Sequence, residues 1–179
     1  MKVLEDSKEI VIPIKPAYID SYNENKLVHV IGYAFKEGAL TDKTFKISVP
    51  YAIKLRRVVE RYHGYGWSKV SSSSMPVQRQ TWVAEPVTLG KFTLSSSLVA
   101  KLNRYESIRI MEKMFMQMPK RLYNRKLHLD KGGYYLGDNP SHPQYGDLRI
   151  KFEMISPKMV SIVAKQVGSR LSAYQTSSG

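Results

Sequence analysis

The chain has 179 residues, enough for one hydrophobic core, and we expect a single domain over residues 1–179, with two small domains as the alternative. Its 28 basic and 15 acidic residues give a net charge of +13, which favours an anionic partner such as a membrane surface or a nucleic acid. The absence of cysteine excludes disulfides, thiolate catalysis and cysteine-based zinc sites. No apolar run reaches the roughly 18 residues that a membrane-spanning helix needs.

The first third of the sequence predicts strands. Alternating isoleucines over residues 9–14 indicate a short strand that ends before Pro16. The run Leu27–Phe35 is short, β-branched and apolar at successive positions, which is typical of a central buried strand. Residues 45–49 alternate again and end at Pro50. Residues 51–67 fit a helix or a strand, and their valines and aromatic residues favour the strand.

The middle of the chain predicts a flexible loop followed by helix. Residues 68–81 contain a run of four serines and a proline, which is loop composition. A short strand over residues 87–92 leads to residues 93–97, where a serine is a candidate helix N-cap, with apolar residues following at helical spacing to Tyr105. Residues 108–118 fit a helix or a strand, and their methionines favour a helix that ends before Pro119.

The last third predicts a basic connector over residues 120–131, a strand or turn over residues 132–137, and a β-hairpin. Residues 148–155 alternate apolar and polar positions, Ser156-Pro157-Lys158 supplies a turn, and residues 159–167 alternate again. The whole pattern predicts an α+β fold, a mostly antiparallel β-sheet domain with one or two helices inserted around residues 95–118.

No catalytic motif accompanies these elements. The four histidines show no metal-ligand spacing, no GxSxG, GxGxxG or P-loop sequence occurs, and the acidic residues of the second half are scattered. We therefore predict no catalytic residues, no metal site and no cofactor.

The strongest local signal is basic. Between Arg104 and Lys131 there are eight basic and three acidic residues, with tyrosines in and near the stretch. Such a stretch suits phosphates, either of a nucleic acid with tyrosines stacking on bases or of anionic lipid headgroups. The predicted contacts with an anionic surface are Arg104, Arg109, Lys113, Lys120, Arg121, Arg125, Lys126 and Lys131.

Three blocks resemble one family. They are NENKLVHVIG at residues 23–32; VP at 49–50 with KLRRVVERY at 54–62; and LGKFTLS at 89–95, taken with NP at 139–140, GDLRI at 146–150 and the tail at 174–179. In this order they are similar to the transmembrane protein 43 family, also called LUMA. The resemblance covers most of the chain, but residues 64–86 and 106–123 match less closely.

The resemblance implies an extramembrane domain of a membrane-anchored, non-enzymatic scaffold protein. It implies partners among membrane proteins, with self-association and anionic-lipid contacts as further expectations. For a eukaryotic host it implies the endoplasmic reticulum and inner nuclear membrane, and for a bacterial host an inner-membrane protein with this domain in the periplasm. Because the resemblance places the domain beside a bilayer, the lipid interpretation of the basic stretch is preferred, and a basic nucleic-acid-binding module is the alternative.

Overall fold

The computed structural model describes residues 10–70 and 75–174, which fall into two compact units. Unit 1 is drawn from Met1–Glu37, Ala84–Asn103 and Pro157–Gly179, and unit 2 from Gly38–Val83 and Arg104–Ser156. Residues 71–74, inside the predicted loop at 68–81, and residues 175–179, at the end of the family resemblance, lie outside the described residues. The single domain and its flexible loop stay predictions.

Unit 1 is a sheet of six strands with one short helix. The strands are β1 (Val11–Ile14), β2 (Leu27–Phe35), β8 (Val87–Leu89), β9 (Phe92–Leu94), β15 (Lys158–Val167) and β16 (Arg170–Ser172), and helix α1 is Ser96–Ala100. A 3-10 turn at Ser21–Asn23 precedes β2. The Ser95 hydroxyl accepts a hydrogen bond from the Leu98 N–H at 3.4 Å, so the predicted N-cap is present.

The strand pairings of unit 1 close into a ring. β2 pairs with β15, β15 with β16, β16 with β9, β9 with β8, and β8 again with β2; β1 adds in parallel to the first half of β2. Around the ring, the five strands follow the chain order first, second, third, fifth, fourth, and the third and fifth pair in parallel. This is the connectivity of an OB-type barrel, which identifies an architecture and not a function.

Unit 2 is built on a second sheet. Its path is β11 (Arg121–Leu122), β12 (Arg125–Asp130), β13 (Gly133–Leu136), β14 (Leu148–Ile155), β5 (Lys54–Tyr62) and β6 (Trp67–Lys69), with β10 (Glu106–Ile108) on β14 and β7 (Gln80–Val83) on β5. The hairpin of β3 (Ala39–Asp42) and β4 (Ile47–Pro50) and the helix α2 (Glu112–Met116) complete it. The described part of the chain contains no helix long and apolar enough to cross a bilayer.

The core of unit 2 lies under β5, β13 and β14. Phe45, Tyr134 and Phe152 are fully buried and pack ring against ring, with centroid separations of 5.4 and 5.5 Å from Phe45. Arg57, which interrupts the apolar face of β5, donates to the Asp42 carboxylate at 2.7 Å, and both side chains are buried. A buried guanidinium is tolerated there because a buried carboxylate neutralises it.

The structure confirms the α+β, mostly antiparallel fold, with both helices inside the predicted window. Four local predictions are wrong. β14 and β15 do not form a hairpin, because β14 pairs with β5 and β15 with β2. The connector over residues 120–131 is instead two strands, β11 and β12, and residues 106–108 form a strand before α2. β2 is central, but only one of its faces is buried.

Candidate functional site: the basic hairpin and its pocket

The residues of the predicted basic connector form a tight hairpin, here called the basic hairpin and defined as Lys120–Lys126. Tyr123 and Asn124 both have positive φ, 52° and 63°, which is the backbone of a two-residue hairpin turn. Arg121 lies opposite Lys126 in the strand register. The turn therefore brings together on one hairpin four basic residues that the sequence shows only as a basic stretch.

The eight predicted contact residues all lie in unit 2, on different elements. Four belong to the basic hairpin, namely Lys120, Arg121, Arg125 and Lys126. Arg109 and Lys131 lie near the turn between β12 and β13, where the Ile110 N–H donates to the Gly132 carbonyl. Lys113 is on α2, and Arg104 precedes β10. Seven of the eight side chains are exposed and Arg125 is half-buried. The structure thus groups four of the eight on one hairpin and leaves the other four on separate elements.

A polar pocket of about 220 Å³ opens beside the basic hairpin. The hairpin contributes Arg121, Asn124 and Arg125, and the segment between β13 and β14 contributes Gly137, Asp138, Tyr145, Gly146 and Asp147. The Arg125 guanidinium donates to the Gly146 carbonyl at 2.6 Å, which ties the two segments together. The Gly137 N–H donates to the Lys126 carbonyl at 3.0 Å and adds a second tie.

The Asp147 carboxylate is the most firmly held group of the pocket. It is only 8% exposed and accepts hydrogen bonds from the Tyr135 hydroxyl at 2.5 Å and the Gln144 N–H at 3.0 Å. A Cβ on residue 137 would lie 2.5 Å from the Asp147 Cγ, so glycine is required where the carboxylate crosses the chain. Burial, with the hydrogen bond to Asp147, raises the pKa of Tyr135, so this donor stays protonated into the alkaline range.

The charges that line the pocket are not neutralised by one another. Arg121 donates to the Asn124 carbonyl at 2.9 Å and Arg125 to the Gly146 carbonyl. Elsewhere in unit 2 arginines pair directly with carboxylates, as Arg149 does with Glu60 at 2.6 Å. Among the described residues no carboxylate lies within ion-pair distance of Arg121 or Arg125. Both guanidiniums therefore keep donors for a ligand.

Catalytic convergence is not observed at this pocket or at the histidines. In the ranges 10–70 and 75–174, no three metal-ligating side chains come together. His128 contacts the Gly137 carbonyl at 2.8 Å, and His29 contacts the Ser161 hydroxyl at 2.6 Å on the outer face of β2 and β15. The described contacts of His29 include no carboxylate that would orient it as a general base. The geometry is suited to binding.

Sequence reasoning found the arginines of the pocket but missed its other wall. Asp138 and Asp147 were grouped with scattered surface acids, and Asn124 and Tyr145 were not selected. The available signal was the Tyr145-Gly146-Asp147 triplet, which combines a turn glycine with an aromatic and an acidic residue. Without the fold, nothing in the sequence places that triplet beside the basic hairpin.

Comparison with known proteins identifies the family. The model of the family described as "Transmembrane protein 43" matches residues 63–179, more than half of the chain. Relatives with that name from Pongo abelii and Homo sapiens are each 26% identical over 207 residues, covering 88% of this chain and 49% of the relative. The Drosophila melanogaster homolog is 25% identical over 198 residues, covering 87% and 50%.

This chain thus spans about half the length of the curated relatives it matches. No solved structure matches it. A family model that aligns with the entire second half, together with relatives of one name that align over most of the sequence, leads to a single assignment. The chain belongs to the transmembrane protein 43 family.

Proposed function

We propose that this chain is the non-catalytic extramembrane domain of a membrane-anchored scaffold protein, and that it contacts anionic membrane surfaces through the basic hairpin. The observation that carries the proposal is the grouping of four cations on one hairpin, three of them exposed and Arg125 half-buried, with no carboxylate among the described residues in ion-pair contact with them. Each lysine or arginine held near an anionic bilayer contributes about 1 kcal/mol, so a group of four is sufficient for reversible binding.

Family membership supports the membrane anchor, since the relatives are named as transmembrane proteins. As part of the same proposal, the domain lies at the endoplasmic reticulum and inner nuclear membrane in a eukaryotic host. In a bacterial host the corresponding place is the periplasmic side of the inner membrane. The described residues contain no group of three metal-ligating side chains, and a binding role accounts for the charges that they present.

Protein partners, both membrane proteins and a second copy of the chain, belong to the same proposal. Their support is a surface of unit 1, the outer face of β2 and β15. Ile31, Tyr33, Met159 and Val163 are exposed there, with Ser161 and His29 between them. Adjacent exposed apolar side chains on a strand face are characteristic of protein contact surfaces.

Vesicle cosedimentation tests the lipid contact. At low salt we expect binding to phosphatidylglycerol vesicles, weak binding to phosphatidylcholine vesicles, and a steep loss of binding as salt is raised. The triple variant Lys120→Gln, Lys126→Gln and Arg121→Gln removes three charges of the basic hairpin but leaves Arg125, which bonds to Gly146. At about 1 kcal/mol per charge, its affinity should fall roughly a hundredfold.

A matched control removes the same charge from unit 1, as Lys91→Gln, Lys101→Gln and Lys165→Gln, all exposed positions. If both triple variants lose the same affinity, net charge and not the basic hairpin drives binding, and the proposal is wrong. Tight, salt-sensitive binding to RNA or DNA combined with indifference to vesicles would instead establish the nucleic-acid-binding alternative.

A further inference from the structure

The pocket beside the basic hairpin carries charge of both signs. Arg121 and Arg125 reach it from the hairpin, and Asp138 and Asp147 reach it from the segment between β13 and β14. A purely electrostatic anion site would not keep two carboxylates in its lining, because each one repels the ligand. A ligand that carries a positive and a negative group satisfies both sides.

The two sides of the pocket do not neutralise each other. The described residues show no ion pair between these arginines and these aspartates, although direct arginine–carboxylate pairs form elsewhere in the same unit. Asp147 is held in place by the Tyr135 hydroxyl and the Gln144 N–H, and Arg125 is held by the Gly146 carbonyl. One charge of each sign, Asp147 and Arg125, is therefore fixed in position before binding, which lowers the entropic cost of binding.

The size of the pocket selects a small ligand. Its volume of about 220 Å³ is below the roughly 300–1,000 Å³ of pockets for drug-sized molecules. Arginine donors match the oxygens of a phosphate, and aspartate oxygens match the hydrogens of a primary ammonium. A phosphate joined to an amine by a two-carbon linker combines both groups in a molecule of this size.

We propose that this pocket binds a phosphoethanolamine group, with the phosphate against Arg121 and Arg125 and the ammonium against Asp138 and Asp147. A choline ammonium has no N–H to donate to the carboxylates, and Tyr145 alone does not form an aromatic cage. A phosphoserine group adds a carboxylate that the two aspartates repel. The pocket thus selects ethanolamine among the common headgroups.

This inference rests on the proposed function for the source of the ligand, a bilayer, but it names a different interaction. Charge-driven binding to phosphatidylglycerol needs only the exposed cations. Phosphoethanolamine has no net charge when the phosphate is a diester, so its recognition depends on the pocket and persists at moderate salt.

A titration of the chain with soluble glycerophosphoethanolamine, followed by amide NMR at moderate salt, tests the pocket. We expect saturable shifts of the Gly137 and Gly146 amides. Glycerol 3-phosphate, which lacks the amine, should bind at least about tenfold more weakly because it loses charge-assisted hydrogen bonds to the aspartates. Equal affinity for the two ligands, or no saturable shift, overturns the inference.

Two exposed positions allow variants that leave the fold intact, as the dispersion of their amide spectra would verify. Asp138→Asn should weaken glycerophosphoethanolamine about tenfold and leave glycerol 3-phosphate unchanged or tighter, since a repelling charge is removed. Arg121→Gln should weaken both ligands. Lys126→Gln, on the same hairpin but outside the pocket lining, should change neither. Unchanged glycerophosphoethanolamine affinity in both Asp138→Asn and Arg121→Gln rules the site out.

Vesicles separate the two sources of the group. Replacing part of the phosphatidylcholine with phosphatidylethanolamine should increase cosedimentation if the ligand is a membrane headgroup. Binding of the soluble compound without that increase supports the pocket and assigns it a soluble phosphoester. Binding to phosphatidylglycerol vesicles without any glycerophosphoethanolamine binding overturns this inference and leaves the proposed function standing. The opposite result overturns the proposed function alone.

Discussion

Two strand pairs of equal length, one in each unit, differ in the side chains of their outward faces. β5 and β14 pair over eight positions in unit 2, and their outward face is filled with charge pairs. Arg149 donates to Glu60 and Arg56 to Glu153, each at 2.6 Å. Each guanidinium also lies over an aromatic ring, that of Trp67 at 4.3 Å or that of Tyr105 at 3.7 Å from the ring centroid. These four charged side chains therefore have their partners within unit 2.

β2 and β15 also pair over eight positions, in unit 1, but their outward face is apolar and open. Ile31 is 54% exposed and Met159 is 62% exposed, and Tyr33 lies opposite Met159 in the register. The polar contact there is between His29 and Ser161. The described residues of unit 1 do not cover these side chains to the extent seen on its inner face, where Val28, Val30 and Ala164 are fully buried.

The difference shows what an apolar run in a sequence does and does not indicate. In β14, alternation over residues 148–153 identifies the buried face, because Arg149 and Glu153 on the other face pair with charged residues of β5. In β2, successive apolar residues suggest burial on both faces, yet one face is exposed. Consecutive apolar residues in a strand indicate either a fully buried strand or a half-buried strand with a contact surface.

The largest expected effect is on the core face of β5, where Asp42 pairs with the buried Arg57. Asp42→Ala leaves the Arg57 guanidinium buried without its partner and removes the acceptor for the Thr44 and Phe45 N–H groups. We expect the free energy of unfolding to fall by about 3–5 kcal/mol in urea titrations. Glu60→Gln, on the outward face of β5, should lower the free energy of unfolding by less than about 1 kcal/mol. Equal losses would show that the two faces are energetically alike.

The second effect is a fall of stability in alkali. Tyr134, on β13 beside β14, is buried, and its hydroxyl has no hydrogen-bond partner among the described residues. Burial, and secondarily the charge of Asp42, raises the pKa of Tyr134 from 10.0 to about 12. Because the unfolded chain ionises first, it binds fewer protons in this range, and the free energy of unfolding falls as pH rises from the lower to the higher pKa.

A shift of this size corresponds to a loss of roughly 2–3 kcal/mol, measured by urea unfolding at a series of alkaline pH values. The control is Tyr134→Phe, which should keep near-neutral stability and show a smaller alkaline loss. Some loss should remain, since the pKa of Tyr135 is raised as well. Identical pH profiles for the two proteins would contradict the assignment to Tyr134.

The third effect tests the inner face of β2. A Cβ on Gly32 would lie 2.6 Å from the Leu89 Cδ2 and 3.2 Å from the Pro16 Cβ, so Gly32→Ala overpacks the space between β2 and β8. We expect a loss of about 1–3 kcal/mol in thermal or urea unfolding. Gly66→Ala is the matched control, because the nearest atom to its Cβ would be 3.7 Å away. A neutral Gly32→Ala would mean that Leu89 repacks freely.

Much of the secondary structure followed from the sequence because it depends on neighbouring residues. Alternation set the faces of β14, and Ser95 marked the start of α1. The hairpin of β14 and β15 could not be judged in this way. Its turn sequence is suitable, but each arm pairs with a strand roughly 90 to 140 residues earlier, and pairing at that distance leaves no local signal.

The candidate site likewise has a part that the sequence predicts and a part that only the tertiary structure creates. The four cations of the basic hairpin were selected from charge alone, although the hairpin itself was predicted as a connector. Asp147 could not be given its role from the sequence, because that role depends on the fold placing its carboxylate across Gly137 and under the Tyr135 hydroxyl. The pocket is therefore a product of tertiary structure, while its arginines are visible in composition.

The smallest expected effect compares the two outward faces directly. Arg149→Ala removes both the Glu60 pair and the contact with Trp67, so the free energy of unfolding should fall by about 1 kcal/mol. Met159→Ser changes a side chain that is already mostly in water, and stability should stay within about 0.5 kcal/mol of the wild type. Urea unfolding of both variants measures this difference.

A Met159→Ser loss as large as that of Arg149→Ala would mean that the apolar face of β2 and β15 stabilises the fold itself. A negligible loss means that its exposed side chains are free to serve contacts outside the domain.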